Sequence, residues 1–218
     1  MSRYPGAEAS ARLGWWRAHR FLLLRRLCQF GVLGLFLLGP LAGVWILKGN
    51  LSSSLLLETV PLTDPLTLLQ SVAAGHWPIT TLWLGAGLVL LGYWLVGGRV
   101  FCSWVCPVNL VTDAAAWLRA RLGLKGNGQF NRNTRYWLLA MVLVAPAITG
   151  VLVWELVNPV SLAMRGLLFG MGAGWGLLVA LFLFDLFVVE RGWCGHLCPV
   201  GAFYALVNRV GFIKISAK

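Results

Sequence analysis

Residues 99–108 read RVFCSWVCPV, and residues 191–200 read RGWCGHLCPV. Arg99, Cys102, Cys106, Pro107 and Val108 recur as Arg191, Cys194, Cys198, Pro199 and Val200, each offset by 92. Each copy follows a long apolar run, so the chain reads as two helical hairpins that end in the same motif. The hairpins run the same way, which predicts a parallel repeat about an axis along the membrane normal. Gly97, Gly98 and Gly192 break the chain ahead of the cysteines. Pro107 and Pro199 suit the first position of a new helix. These helices are predicted over 111–122 and 202–210, with Gly123 and Gly211 as stops.

Outward from the motifs, 59% of the 218 residues are hydrophobic and 11% charged, with a mean hydropathy of +0.78. Soluble domains carry about 45–50% apolar and about 25% charged residues. That excludes an ordinary soluble domain, and it excludes disorder, which needs a polar chain. Four runs, 27–47, 77–97, 136–154 and 168–189, are apolar enough for spans of about 20 residues. The first has a long basic arm before it and no small-residue cleavage site, so it does not read as a signal peptide.

Of the 18 Lys and Arg residues, 16 fall before the first run, between the second and third, or after the fourth. Only Lys48 and Arg165 lie on the other side. The positive-inside rule then predicts cytoplasmic termini and a cytoplasmic middle loop. The net charge of +11 is explained by topology, and nucleic-acid binding is not expected. The expected fold is all-α: a polytopic membrane protein with four transmembrane helices in two parallel-repeat hairpins, with a short cytoplasmic helix after each C-x3-C-P motif. Residues 1–26 form a basic cytoplasmic arm, and 27–218 form the membrane domain. The expected location is the bacterial inner membrane.

Two cysteine pairs at helix N-termini suggest chemistry. Unpaired N–H groups and the helix dipole favour a thiolate there. Pairing the repeats would collect Cys102, Cys106, Cys194 and Cys198. Four thiolates suit an iron–sulfur cluster or a structural zinc. A disulfide is disfavoured in a reducing cytoplasm. Cys28 has no counterpart and reads as a buried, inert thiol. Arg99 and Arg191 either offset cluster charge or anchor the chain. His196 offers a ligand or a hydrogen bond to sulfur, although its counterpart is Trp104. Asp185 reads as a bundle-interior acid or an interfacial carboxylate.

The segment from Lys48 to His76 is expected as a mostly apolar outer loop, with a surface helix starting at Asp64 and Pro65. Its polar candidates, with Glu155, are Glu58, Asp64 and His76, each read by default as a solvated loop residue. Gly170, Gly172, Gly174 and Gly176 mark one edge of the fourth run as a close-packing face.

Within longer context, RVFCSWVCPVNLVTD, WELVNPVSLAMRG and FLFDLFVVERGWCGHLCPVGAFYALV resemble the NapH family of ferredoxin-type membrane proteins. That family supplies the quinol dehydrogenase membrane component of the periplasmic nitrate reductase system. The resemblance covers the chain from about Arg17. It implies that electrons pass from the quinone pool toward a periplasmic ferredoxin-type iron–sulfur protein and nitrate reduction, with a 4Fe-4S cluster on the four motif cysteines. Members usually carry a C-terminal ferredoxin domain as well, and this chain stops at Lys218 before such a domain. The competing reading is a non-redox membrane anchor or assembly scaffold for a periplasmic ferredoxin-type partner, with structural cysteines. A transporter is a more distant alternative.

Overall fold

The computed structural model describes residues 14–98, 100–124, 131, 133–170 and 172–210. Helix α1 (Trp15–Ala42) ends where Gly43 takes φ 72° and its N–H bonds Gly39 O. A three-stranded antiparallel meander follows: β1 (Leu47–Gly49), β2 (Ser53–Leu56) and β3 (Val60–Thr63). Its first turn is closed by Asn50 Oδ1, which accepts from the N–H groups of Ser52 and Ser53 at 3.0 and 2.8 Å. Helices α2 (Pro65–Ala73) and α3 (Thr80–Val96) lead to a π-helical turn, Phe101–Val105, and then to α4 (Val108–Leu122). The second half comprises α5 (Thr134–Thr149), α6 (Val153–Val157), α7 (Pro159–Phe169) and α8 (Gly172–Phe187). It ends in a second π-helical turn, Trp193–Leu197, and α9 (Pro199–Val210).

The two halves are interlocked. Helix α4, which follows the first motif, packs on α8, which precedes the second. Helix α9, which follows the second motif, packs on α3, which precedes the first. Likewise α1 rests on the first π turn and α5 on the second. This exchange puts both motifs at the centre of one core, where Leu66, Phe101, Cys106, Val108, Val160, Val200 and Tyr204 cluster.

The expectation of an all-α chain with four transmembrane helices is overturned. The segment 47–63 is a sheet. Among the described residues only α1, at 28 residues, is long and apolar enough to cross a bilayer. Helices α3, α5 and α8 have 17, 16 and 16 residues. The expected third run stops at Gly150, at φ 68°, and the fourth is split by Gly170, at φ 66°. Each glycine adopts the left-handed conformation that ends a helix. The expected separation of Asp64 and Tyr204 across the membrane fails as well. Asp64, assigned to the outer side, accepts a hydrogen bond from Tyr204, assigned to the inner side, at 3.1 Å. A hydrocarbon layer of about 30 Å cannot lie between them.

Several arginines read as topological anchors are internal ligands instead. Asp113 on α4, with its side chain 9% exposed, pairs with Arg25, with Arg26 at 2.9 Å and with Arg191 at 3.1 Å. It thereby ties α1 to α4 and to the approach of the second motif. Gln29, fully buried on α1, donates to Ser103 O at 3.2 Å and accepts from Arg26 at 2.9 Å. Arg119 is 5% exposed and donates to Asp185 O at 3.0 Å. Arg99 lies outside the described residues. Of the glycine edge on the fourth run, Gly174 is in close contact: a Cβ there would stand 2.6 Å from Leu162 O.

Two stability measurements follow. A Cβ on Gly98 would meet the backbone carbonyl of Tyr204 at 2.3 Å, where α3 hands over to the first motif against α9. Gly98→Val is expected to lower stability by at least about 1–3 kcal/mol, read as a fall in the thermal midpoint of detergent-purified protein. Gly87→Ala, which meets nothing within 4 Å, is the neutral or stabilising control. Asp113→Ala takes the carboxylate from the partly buried Arg25 and Arg26 and is expected to cost about 1.5–3 kcal/mol in the same assay.

Candidate functional site

Proline explains the local shape of both motifs. A residue before proline is pushed out of the helical region. Cys106, before Pro107, sits at φ −64° and ψ 120°, and Cys198, before Pro199, at φ −68° and ψ 114°. The preceding turn widens to reach that extended residue. Cys106 N–H donates to Phe101 O at 3.0 Å, and Cys198 N–H to Trp193 O at 2.8 Å, both across five residues. A new helix then starts from the proline. Each motif therefore carries one cysteine inside a π turn, Cys102 or Cys194, and one between that turn and the next helix, Cys106 or Cys198. π turns concentrate at functional sites.

The structure brings all four motif cysteines together. Cys102, Cys106, Cys194 and Cys198 line one cavity with Trp154, Trp193, Val160 and Val200. Cys102 and Cys194 also line a neighbouring, more polar cavity with Asn109, Arg135 and His196. The second cysteine of each pair is thus the deeper one. No disulfide joins any of the five cysteines among the described residues, and half-buried Cys28 on α1 does not line this cavity. Among the described residues, no three His, Cys, Asp or Glu side chains stand close enough to hold a single metal ion. A tetrahedral zinc needs four donors within about 2.0–2.3 Å of one ion. A cluster with four ligands at its corners is suited to donors around a wider cavity.

The helix N-termini do not make these thiols acidic. Burial pushes Cys106 up to about 12, with the nearby Cys198 adding to it, against lowering by the N–H groups of Val108 and Asn109. Burial and its neighbouring thiols raise Cys194 well above the usual range. Burial also raises Cys198, against the lowering N–H groups of Gly201 and Val200. Gly201 N–H lies 3.5 Å from Cys198 Sγ, and Thr112 Oγ1 lies 3.8 Å from Cys194 Sγ. The expectation of lowered thiol pKa values is corrected, because desolvation outweighs the helix ends. The same burial makes a cationic metal centre the natural partner, since its charge compensates thiolates that the apolar wall disfavours.

The remaining candidates sort by environment. Asp185 is fully buried, and its Oδ1 accepts from Trp193 N–H at 3.1 Å, so it fixes the start of the second π turn. Arg191 is committed to Asp113, and His196 carries a buried Nδ1 without a hydrogen-bond partner. Glu58 pairs with Lys48 at 3.3 Å on the surface, and His76 is exposed. Glu155 accepts from Ser52 at 3.3 Å and from Asn158 at 3.4 Å. Asp64 differs from all of these. It accepts from Tyr204 at 3.1 Å and from Thr67 at 3.3 Å, and burial pushes its carboxyl up to about 6. Asp113, Gln29 and Tyr204 were not singled out from the sequence. Arg25-Arg26 followed by Gln29, where α1 turns from its basic start into an apolar run, is the available signal.

A 4Fe-4S binding domain family matches residues 79–125 and 167–218, so each matched stretch holds one C-x3-C-P motif. The ferredoxin-type protein NapH of Escherichia coli is 57% identical over 99% of this chain and 75% of the relative. The methylamine utilization ferredoxin-type protein MauN of Methylorubrum extorquens is 51% identical over 97% of this chain and 74% of the relative. MauN of Paracoccus denitrificans is 54% identical, again over 97% of this chain and 75% of the relative. No solved structure matches. With both matched stretches centred on the thiol cavity and these relatives aligned along nearly the whole chain, the protein belongs to the NapH/MauN family of ferredoxin-type proteins.

Proposed function

We propose that this chain is a membrane electron-transfer component that receives electrons from quinol and passes them toward a periplasmic iron–sulfur partner and nitrate reduction. Cys102, Cys106, Cys194 and Cys198 hold one 4Fe-4S cluster, which supplies a one-electron carrier when bound. The observation that carries this reading is that all four thiols of the two matched stretches line a single cavity. The chain's own residues do the positioning. The two π turns present the thiols, Asp185 fixes the second turn, and Trp154 and Trp193 keep the wall dry. The relatives include methylamine utilization proteins as well as NapH. The similarity to NapH favours the nitrate branch.

Membrane association rests on α1, whose 28 residues suffice to span and whose Leu27 and Leu41 are 73% and 80% exposed. Trp137 and Ile148 on α5 expose further apolar surface at 78% and 80%. We place the chain in the bacterial cytoplasmic membrane with the Arg-rich start of α1 on the cytoplasmic side.

Anaerobically purified protein is expected to carry about four iron and four sulfide per chain, with a visible spectrum that bleaches on reduction. Cys106→Ser and Cys198→Ser, taken singly, are expected to lose most of the iron, while Cys28→Ser keeps it. Both motif variants should stay in the membrane yet lower nitrate-dependent quinol oxidation per molecule. Zinc in place of iron, or normal flux in both variants at normal abundance, would establish the scaffold reading instead.

A further inference from the structure

A second cavity, of about 410 Å³, lies beside the thiol site. It is bounded by α1, the β meander, α3 and the first π turn, with Val32, Phe36, Leu62 and Val89 among its apolar walls. Pockets of about 300–1,000 Å³ with apolar walls and a few polar groups take ring-sized ligands. Here the polar groups converge at one place. Asp64, Tyr204, Thr63 and Tyr93 all line the cavity, and Tyr204 donates to Asp64 at 3.1 Å. The hydroxyl of Thr63, a residue only 4% exposed, has no hydrogen-bond partner.

The cavity's position also matters. Phe101 lines both this cavity and the thiol cavity, and Cys102 is the next residue in the chain. The Phe101 and Tyr204 rings stand 5.3 Å apart, and Tyr93 and Tyr204 stand 5.1 Å apart. A flat ring seated here is separated from the cysteines by one aromatic side chain.

Resting on the electron-transfer reading above, we propose that this cavity is the quinol-binding site. The isoprenoid-bearing ring lies between α1, α3 and the meander, and one ring hydroxyl donates to Asp64 beside Tyr204. The carboxyl, pushed up to about 6 by burial, stays mostly ionised at neutral pH and can accept the hydrogen bond of a hydroxyl that must later lose a proton. A phospholipid acyl chain would fill the apolar walls and leave Asp64 and Tyr204 without a ligand partner. The grouped polar side chains therefore favour the quinol.

The site is tested in membranes that contain the intact protein and its redox partners, with an azido-decylquinone as photolabel. Crosslinks are expected within 47–64 and 89–105, competed by decylquinol and not by added phospholipid. Gly92 lines the cavity on α3, and a Cβ there meets nothing within 4 Å, so Gly92→Phe obstructs the site without a backbone clash. This variant is expected to keep its iron while the KM for quinol rises about tenfold or more and labelling falls in parallel. Should Gly92→Phe fail to accumulate, the crosslink map of the unaltered protein decides. Quinol oxidation that persists with crosslinks confined to other segments, or labelling competed equally by phospholipid, overturns the site and leaves the electron-transfer reading intact. A protein with normal iron that quinol does not reduce at all overturns both.

Discussion

Everything in this molecule depends on a proline forcing the cysteine before it out of a helix. Because Cys106 and Cys198 cannot be helical ahead of Pro107 and Pro199, each preceding turn relaxes to five-residue hydrogen bonds, and each following helix departs in a new direction. That change of direction lets α4 reach α8 and α9 reach α3. Were either motif to continue as a straight helix, the exchange would fail and the two thiol pairs would sit at the ends of separate hairpins. The repeat in sequence thus becomes a single site in space through one backbone restriction applied twice.

Charge is arranged around this exchange. The thiols stand in an apolar wall that disfavours their ionised form; Arg191 and Arg119 are held by Asp113 and the Asp185 carbonyl, while Arg135 lines the polar cavity beside Cys102 and Cys194. Arg191 therefore positions the second motif, tying its approach to α4 and α1, and does not offer a free charge to the thiols. Two carboxylates flank the motifs with separate duties: Asp113 gathers guanidinium groups outside, and Asp185 caps a π turn inside. An assembly of this kind uses its polar residues to fix loop geometry around the thiol cavity.

The repeat, the four converging cysteines and the helices after them were legible, because C-x3-C-P twice at one offset is a statement about spacing. The sheet was not. Its second turn places Leu57 and Glu58 at φ 50° and 59°, a conformation that sequences normally advertise with Asn-Gly. The preceding Asn50 was a fainter sign. Hydropathy also misled, since an apolar run of about 20 residues does not reveal that Gly150 and Gly170 will end helices inside it. Counting arginines as anchors ignored that Arg25, Arg26 and Arg119 have internal partners, which only the packed structure reveals. Asp64 illustrates the same limit. Its helix-start role could be read from Asp-Pro, but its burial depends on Tyr204, 140 residues away.

That long-range pairing sets the relation between the two cavities. Tyr204 lies in the helix that begins at Pro199, so its place is fixed by the same pre-proline turn that presents Cys198. Asp64 lies at the start of α2, whose Leu66 is fully buried in the core shared with Cys106 and Phe101. Any shift of the second motif that altered the thiol geometry would also pull Tyr204 from Asp64, and any ligand that repositioned Asp64 would push on the core around the thiols. Because interiors are close-packed, such a displacement has little slack to absorb it. The acid and the thiols are mechanically joined through α2, Phe101 and α9, so the fold holds both cavities at a fixed relation to each other.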